Sequence, residues 1–116
     1  MTIQRMHTGP RMSQVVVNGN TVYLAGQVAL DAPGTSATDQ TKDILKRIDT
    51  LLAEAGTDKS KLLSATIWLS DIKTFGEMNA VWDAWIDPQN PPARACVEST
   101  LAAPQYNVEI MVVAAR

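Results

Sequence analysis

The chain has 116 residues, 46% of them apolar and 19% charged, enough for one domain with a modest core and unlike a disordered chain. The formal net charge of −2, with no run of lysines or arginines, disfavours nucleic-acid binding through a basic stripe. A single cysteine excludes an internal disulfide and suits a reducing compartment. The N-terminal Met1-Thr2-Ile3-Gln4-Arg5 lacks the apolar stretch of a signal peptide, and no segment is long enough to cross a membrane. The expectation is one cytoplasmic domain over residues 1–116, with no membrane partner.

In chain order, the first signal is a hairpin. Val15-Val16-Val17 and Thr21-Val22-Tyr23-Leu24-Ala25 flank Asn18-Gly19, residue types that tolerate positive φ. The second strand is expected to continue through Gly26-Gln27-Val28, with Gly26 marking a place where another backbone or a ligand approaches closely. Asp31-Ala32-Pro33-Gly34 reads as a loop. Ile44, Leu45, Ile48, Leu51, Leu52 and Ala55 then recur at helical spacing, with Ser36 and Asp39, or Thr38, at the start and Gly56 at the stop.

Leu63, Ala65, Ile67 and Leu69 alternate with polar residues and Trp68, which predicts a third strand. Thr74-Phe75-Gly76-Glu77 has capping-box spacing and opens a second helix whose apolar stripe is Phe75, Met78, Val81, Trp82, Trp85 and Ile86. Pro88 ends it. Two further strands, about 93–100 and 108–115, close the chain.

The predicted order is β-β-α-β-α-β-β, an α+β fold with a mixed sheet, because each helix between strands implies a crossover. Two helices cover one face of such a sheet. Val15-Val16-Val17 and Ile110-Met111-Val112-Val113-Ala114-Ala115 are nevertheless apolar on both faces, the pattern of strands buried on both sides. A homo-oligomer packing sheet against sheet is the economical cover.

Chemistry concentrates in Asn90-Pro91-Pro92-Ala93-Arg94-Ala95-Cys96-Val97-Glu98. A strand alternates faces, so Arg94, Cys96 and Glu98 share one side. An arginine on a rigid strand is a ready carboxylate receptor, since its donor fork matches two oxygens. The plain alternative is a structural ion pair with Glu98 or Glu109. Cys96 as nucleophile is the weak option: the only histidine, His7, lies in an N-terminal stretch expected to be mobile, and a small buried thiol is the better reading. Glu109 sits in an otherwise apolar strand, where a carboxylate needs a purpose or a partner. Trp68, Trp82 and Trp85 read as core or interface anchors, and Asn79 as either a cleft or a solvated residue.

Taken together, these segments resemble the RidA family of small imine deaminases, also called the YjgF or L-PSP family. The resemblance runs from about Gly9 to the C-terminus. It rests on Gly9-Pro10 with Ser13-Gln14, Val22-Tyr23-Leu24-Ala25-Gly26-Gln27-Val28, Gln40-Thr41, Phe75 with Met78-Asn79, Pro92 through Glu98, and Val108-Glu109-Ile110. It implies a fold similar to trimeric chorismate mutase, a homotrimer with clefts at subunit boundaries, and hydrolysis of reactive 2-imino acids released by pyridoxal-phosphate enzymes. The products are a 2-oxo acid and ammonia, with no cofactor or metal required.

By position, Arg94 matches the arginine that grips the substrate carboxylate and Glu109 the acid that positions water. Gly26 and Cys96 match backbone lining of the cleft, with Asn79 nearby. The chain departs from the family pattern in three places, one of them a loop from the second helix to Pro91 that is shorter than usual. Met12 stands where a tyrosine is usual, with one residue inserted, and Ala25 replaces a serine. Both changes make the pocket more apolar. Two other functions are weighed against the hydrolase: a non-catalytic trimeric binder of 2-oxo acids or other carboxylates, and an endoribonuclease or translation inhibitor, which the acidic composition and the absence of a cleft histidine disfavour.

Overall fold

A computed structural model describes residues 2–116. Its elements are β1 (Gln4–Thr8), β2 (Ser13–Asn18), β3 (Thr21–Leu24), β4 (Gln27–Val28), α1 (Ala37–Glu54), β5 (Leu62–Leu69), α2 (Phe75–Trp85), β6 (Ala93–Glu98) and β7 (Val108–Ala115). The sheet runs β1-β2-β3-β7-β5-β6, with the short β4 also paired to β7. β6 lies parallel to β5 after the α2 crossover, and every other pairing is antiparallel. The mixed sheet and both helices therefore form as predicted.

The molecule measures 43 × 37 × 21 Å. The short dimension is one helix layer on one sheet, each about 10 Å thick, so both helices lie on one side. The core lies between these layers: Val15, Val17, Val22, Ile44, Ile48, Leu52, Ile67, Leu69, Ile110 and Val112 are each at most 1% exposed. The opposite, open face carries alternate residues of the same strands. Tyr23 and Met111 there are 46% and 37% exposed, as is Val97 at 47% on the edge strand. The doubly apolar strands thus have one face buried within the chain and one face bare.

Helix α1 starts where the sequence indicates. Ser36 caps it by accepting the Asp39 N–H at 3.1 Å. Gly56, at φ +81°, follows the last turn in the left-handed conformation that ends helices. Buried Gln40 ties α1 to the approach of β7: its amide donates to the carbonyls of Thr35 and Gln105 at 3.1 Å, and its Oε1 accepts the Asn107 N–H at 2.7 Å.

Several local expectations are corrected. Residues 4–8 are not a mobile arm but an edge strand paired to β2, and His7 in it bonds Glu54 at the end of α1. The hairpin turn is Gly19-Asn20, with Asn18 already paired to Thr21. Gly19 takes φ +61° at the first turn position, the type II′ arrangement that matches strand twist. The second strand breaks at Ala25-Gly26 and resumes as β4. A bulge between Leu62 and Ser64 inserts one residue and reverses the alternation there, so Leu62 is buried and Leu63 is 50% exposed. The last two strands hold, though β6 stops at Glu98.

The Thr74–Glu77 capping box does not form. Thr74 Oγ1 donates instead to the Asp71 carbonyl at 2.7 Å, in a 3-10 turn over Ile72–Thr74 that Asp71 caps. Glu77 is drawn to α1, where Thr38 donates to it at 3.0 Å.

Candidate functional site

Strand β6 is an edge strand, paired on one side only. Its register sets Arg94, Cys96 and Glu98 beside Ala65, Ile67 and Leu69, on the helix side, while Ala93, Ala95 and Val97 sit beside Ser64, Thr66 and Trp68 on the open face. Arg94 therefore leans towards α2. Its Nη1 donates to Asn79 Oδ1 at 2.8 Å, and its guanidinium carbon lies 5.3 Å from the Trp82 ring centre and 5.9 Å from that of Phe75.

Neither ion-pair alternative for Arg94 is realised. Among the described residues no carboxylate comes within 4.0 Å of it. Glu98 instead accepts the Ile72 N–H at 2.9 Å. Arg94 is thus an exposed cation with a neutral hydrogen-bond acceptor, free to receive an anion.

Cys96 is half-buried on the same face. Burial pushes its thiol pKa up, against a weaker opposing pull from Arg94. A raised pKa leaves little thiolate, and His7 is held at Glu54, so the side chain behaves as a small apolar group.

Glu109 lies on the other side of the sheet. Along β7 its neighbours across the ladder are Trp68 of β5 and Val28 of β4, all pointing to the open face. Gly26 closes in on it: a Cβ built at Gly26 would stand 2.3 Å from Glu109 Oε2, so the carboxylate occupies the room that a side chain would take. Partial burial pushes the Glu109 pKa above the ordinary carboxylate value, because the charged form loses hydration.

Ala25 beside it has its backbone engaged, the N–H donating to the Gln14 carbonyl at 2.9 Å and the carbonyl accepting from the Gln27 amide at 3.0 Å. Met12 stands 48% exposed at the end of the β1–β2 turn, which closes through Gly9 N–H donating to its carbonyl at 2.8 Å.

The structure thus gathers the sequence-derived residues into two groups. Arg94, Asn79 and Cys96 are on the helix side of the sheet edge, and Glu109 and Gly26 are on the open face. A single chain does not bring Arg94 and Glu109 together. Two concavities lie elsewhere. One, between the β1–β2 hairpin and α1, is lined by His7, Gln14, Gln27, Arg47 and Glu54, and the other, between α1 and α2, by Lys42, Asp49, Ala80 and Trp85. Sequence reasoning missed that Phe75 and Trp82 flank Arg94. Their i, i+7 spacing about Asn79 was the available signal.

Comparison with known proteins agrees along the full length. Residues 2–116 match the family described as Endoribonuclease L-PSP. A RutC family protein of Haemophilus influenzae is 45% identical over 114 residues, covering 98% of each chain. The RutC family protein YoaB of Escherichia coli is 43% identical over 116 residues, covering 99% of each. A crystal structure of a YjgF family member from Neisseria meningitidis superimposes with a TM-score of 0.96 at 44% identity, covering 100% of this chain and 96% of the other. With an α+β sheet of the same build and a match that leaves no element out, this chain belongs to the RutC/YjgF/L-PSP family.

Proposed function

We propose that the protein is a cofactor-free imine deaminase of the cytoplasm that hydrolyses small 2-imino acids to 2-oxo acids and ammonia. The observation that carries this reading is Arg94: a guanidinium held by a neutral amide and two aromatic rings, with no carboxylate partner among the described residues. A 2-imino acid supplies the missing anion beside its electrophilic carbon, and a bidentate pair fixes that carbon in place.

Glu109 is the proposed general base. Water loses a proton to its carboxylate as the oxygen bonds to the imine carbon. The imine nitrogen takes up a proton and becomes an amine. The hydroxyl proton then passes through the Glu109 carboxylate to the nitrogen as the C–N bond breaks, so that ammonia leaves and the carbonyl forms. A carboxylate whose pKa burial raises is a stronger base than a free one, which suits it to taking up that proton and returning it.

Because Arg94 and Glu109 lie on opposite sides of one sheet, the reaction requires two copies. The bare apolar face, carrying Tyr23 and Met111, is the proposed contact of a homotrimer. In that assembly Glu109 and Gly26 of one copy meet the β6 edge of the next.

The test generates 2-iminopropanoate with an amino-acid oxidase and traps the residual imine with semicarbazide. Wild-type protein lowers the trapped fraction, while Arg94→Ala and Glu109→Gln each lose the effect. When the two inactive variants are unfolded and refolded together in equal amounts, random assembly restores roughly one site in four. No recovery in mixed oligomers refutes the shared site, and an Arg94→Ala protein as active as wild type refutes the catalytic assignment.

One observation favours a second reading, a non-catalytic carboxylate binder. Met12, which is exposed, and Ala25, which is partly buried, put no hydroxyl where a polar cleft would have one. Saturable binding of 2-oxobutanoate that Arg94→Ala abolishes, without any imine turnover by wild type, would establish it. Ribonuclease chemistry draws no support from the site, since His7, the one histidine, is bonded to Glu54 in a different cleft.

A further inference from the structure

Three side chains of α2 converge on Arg94. Phe75, Asn79 and Trp82 follow one another at i, i+4 and i+7, so a single stripe of the helix faces the guanidinium. The support is firm. Trp82 is 5% exposed and packs on Trp85 with ring centres 5.4 Å apart, so the surface on which Arg94 rests is part of the core.

The hydrogen-bond geometry is selective. A guanidinium has a fork of five N–H donors. Asn79 Oδ1 takes one from Nη1 at 2.8 Å, the nitrogen on the far side from the Nε hydrogen. The Nε–Nη2 edge, with two parallel donors at the spacing of a carboxylate, keeps both. The residue type matters as much as the place. An amide oxygen orients the guanidinium without cancelling its charge, whereas a carboxylate at position 79 would form an ion pair and occupy the receptor.

We propose that Asn79 is a positioning residue, not a substrate ligand. It fixes the rotation of the Arg94 guanidinium against Trp82 and Phe75, so that the Nε–Nη2 edge is the one offered to the carboxylate of an incoming 2-oxo or 2-imino acid. The kinetic part of this inference rests on the imine-hydrolase reading, and the binding part does not.

The test uses 2-oxobutanoate as a non-reacting probe, followed by calorimetry, with Asn79→Ala and Asn79→Asp made in the full chain. Asn79→Ala should weaken binding about tenfold, the worth of one charge-assisted hydrogen bond. The loss in kcat/KM should match it and fall on KM. Asn79→Asp, nearly the same size, should weaken binding at least as much by tying up Arg94.

Nitrogen-detected spectra of the guanidinium supply a readout that a merely structural role would not move. Wild type should show separate Nη1 and Nη2 signals from hindered rotation, and Asn79→Ala should merge them while backbone amide signals stay in place. On an Arg94→Lys background, which keeps a charge but has no planar fork to orient, Asn79→Ala should cost less than it does in wild type.

Undiminished binding in Asn79→Ala overturns the proposal. So does Asn79→Asp binding as well as wild type, an undiminished Asn79→Ala loss on the Arg94→Lys background, or a wild type that does not bind 2-oxobutanoate. If the variants behave as stated but wild type hydrolyses no imine, the deaminase reading fails and the positioning role stands.

Discussion

Gly26→Ala should separate catalysis from folding. Gly26 is not among the positive-φ glycines, which are Gly19, Gly34 and Gly56, so an alanine there meets no backbone strain. Its new Cβ would stand 2.3 Å from Glu109 Oε2 and 3.1 Å from Cδ, while ordinary contact begins at 3.4 Å. The carboxylate must therefore retreat by about 1 Å by turning its own torsions, since the three atoms nearest the new Cβ all belong to the flexible Glu109 side chain. An off-rotamer glutamate costs about 0.5–1.5 kcal/mol. Replacing glycine at a compatible position returns about 0.4–1 kcal/mol by narrowing the unfolded ensemble. The net change stays within about 1 kcal/mol, or roughly 4 °C in Tm for a chain of this size. Displacing the proposed general base by about 1 Å should have a much larger effect on rate, on the order of a hundredfold. Thermal unfolding and the semicarbazide assay on the same sample read both quantities. An alanine variant with wild-type activity refutes the placement of Glu109 in the chemistry. A fall in Tm beyond about 8 °C refutes the claim that the contact is soft.

Glu109→Gln should abolish turnover by about a hundredfold or more, and its effect on stability should depend on pH in a particular direction. The folded-state pKa of Glu109 lies above its unfolded value, so the folded chain holds its proton more tightly. The penalty is absent below the unfolded pKa near 4.5, grows as pH rises through the folded value, and is constant above it. Glutamine should consequently raise the denaturation midpoint at pH 8 and not at pH 4, and an equal shift at both contradicts the desolvation argument. Ser36→Ala should cost about 1 kcal/mol in urea unfolding by removing the α1 cap, whereas Thr74→Ala, which caps nothing at α2, should cost about half that. Equal losses would mean that Thr74 does cap α2.

The parts of the fold legible in the sequence were those in which one physical signal dominated. The stripe Ile44, Leu45, Ile48 and Leu52 left no alternative to a helix, and Ser36 and Gly56 bounded it. The misreadings occurred where two signals competed. Leu62-Leu63 offers two apolar residues in succession, and only the bulge decides which one enters the core. Thr74-Phe75-Gly76-Glu77 satisfies the capping-box pattern, but Asp71 captures the turn first and Thr38 captures Glu77. The N-terminal residues show no apolar alternation, so pairing of β1 with β2 through backbone hydrogen bonds left no trace in composition.

The candidate site was legible one residue at a time but not as an arrangement. Period-two alternation is enough to place Arg94 with Cys96, and an isolated acid in an apolar strand is enough to single out Glu109. Neither pattern says which face of the sheet each residue takes, because that depends on the register between β5, β6 and β7. The register places them on opposite sides, and this joins two observations that were independent in the sequence. The bare apolar face and the incomplete site call for the same remedy, a second copy. In the proposed homotrimer the contact that covers Tyr23 and Met111 would also bring a neighbour's β6 edge up to Glu109, so burial of the sheet and completion of the site would be a single event. It follows that this protein should lose activity on dilution along with its oligomeric state, and not before it.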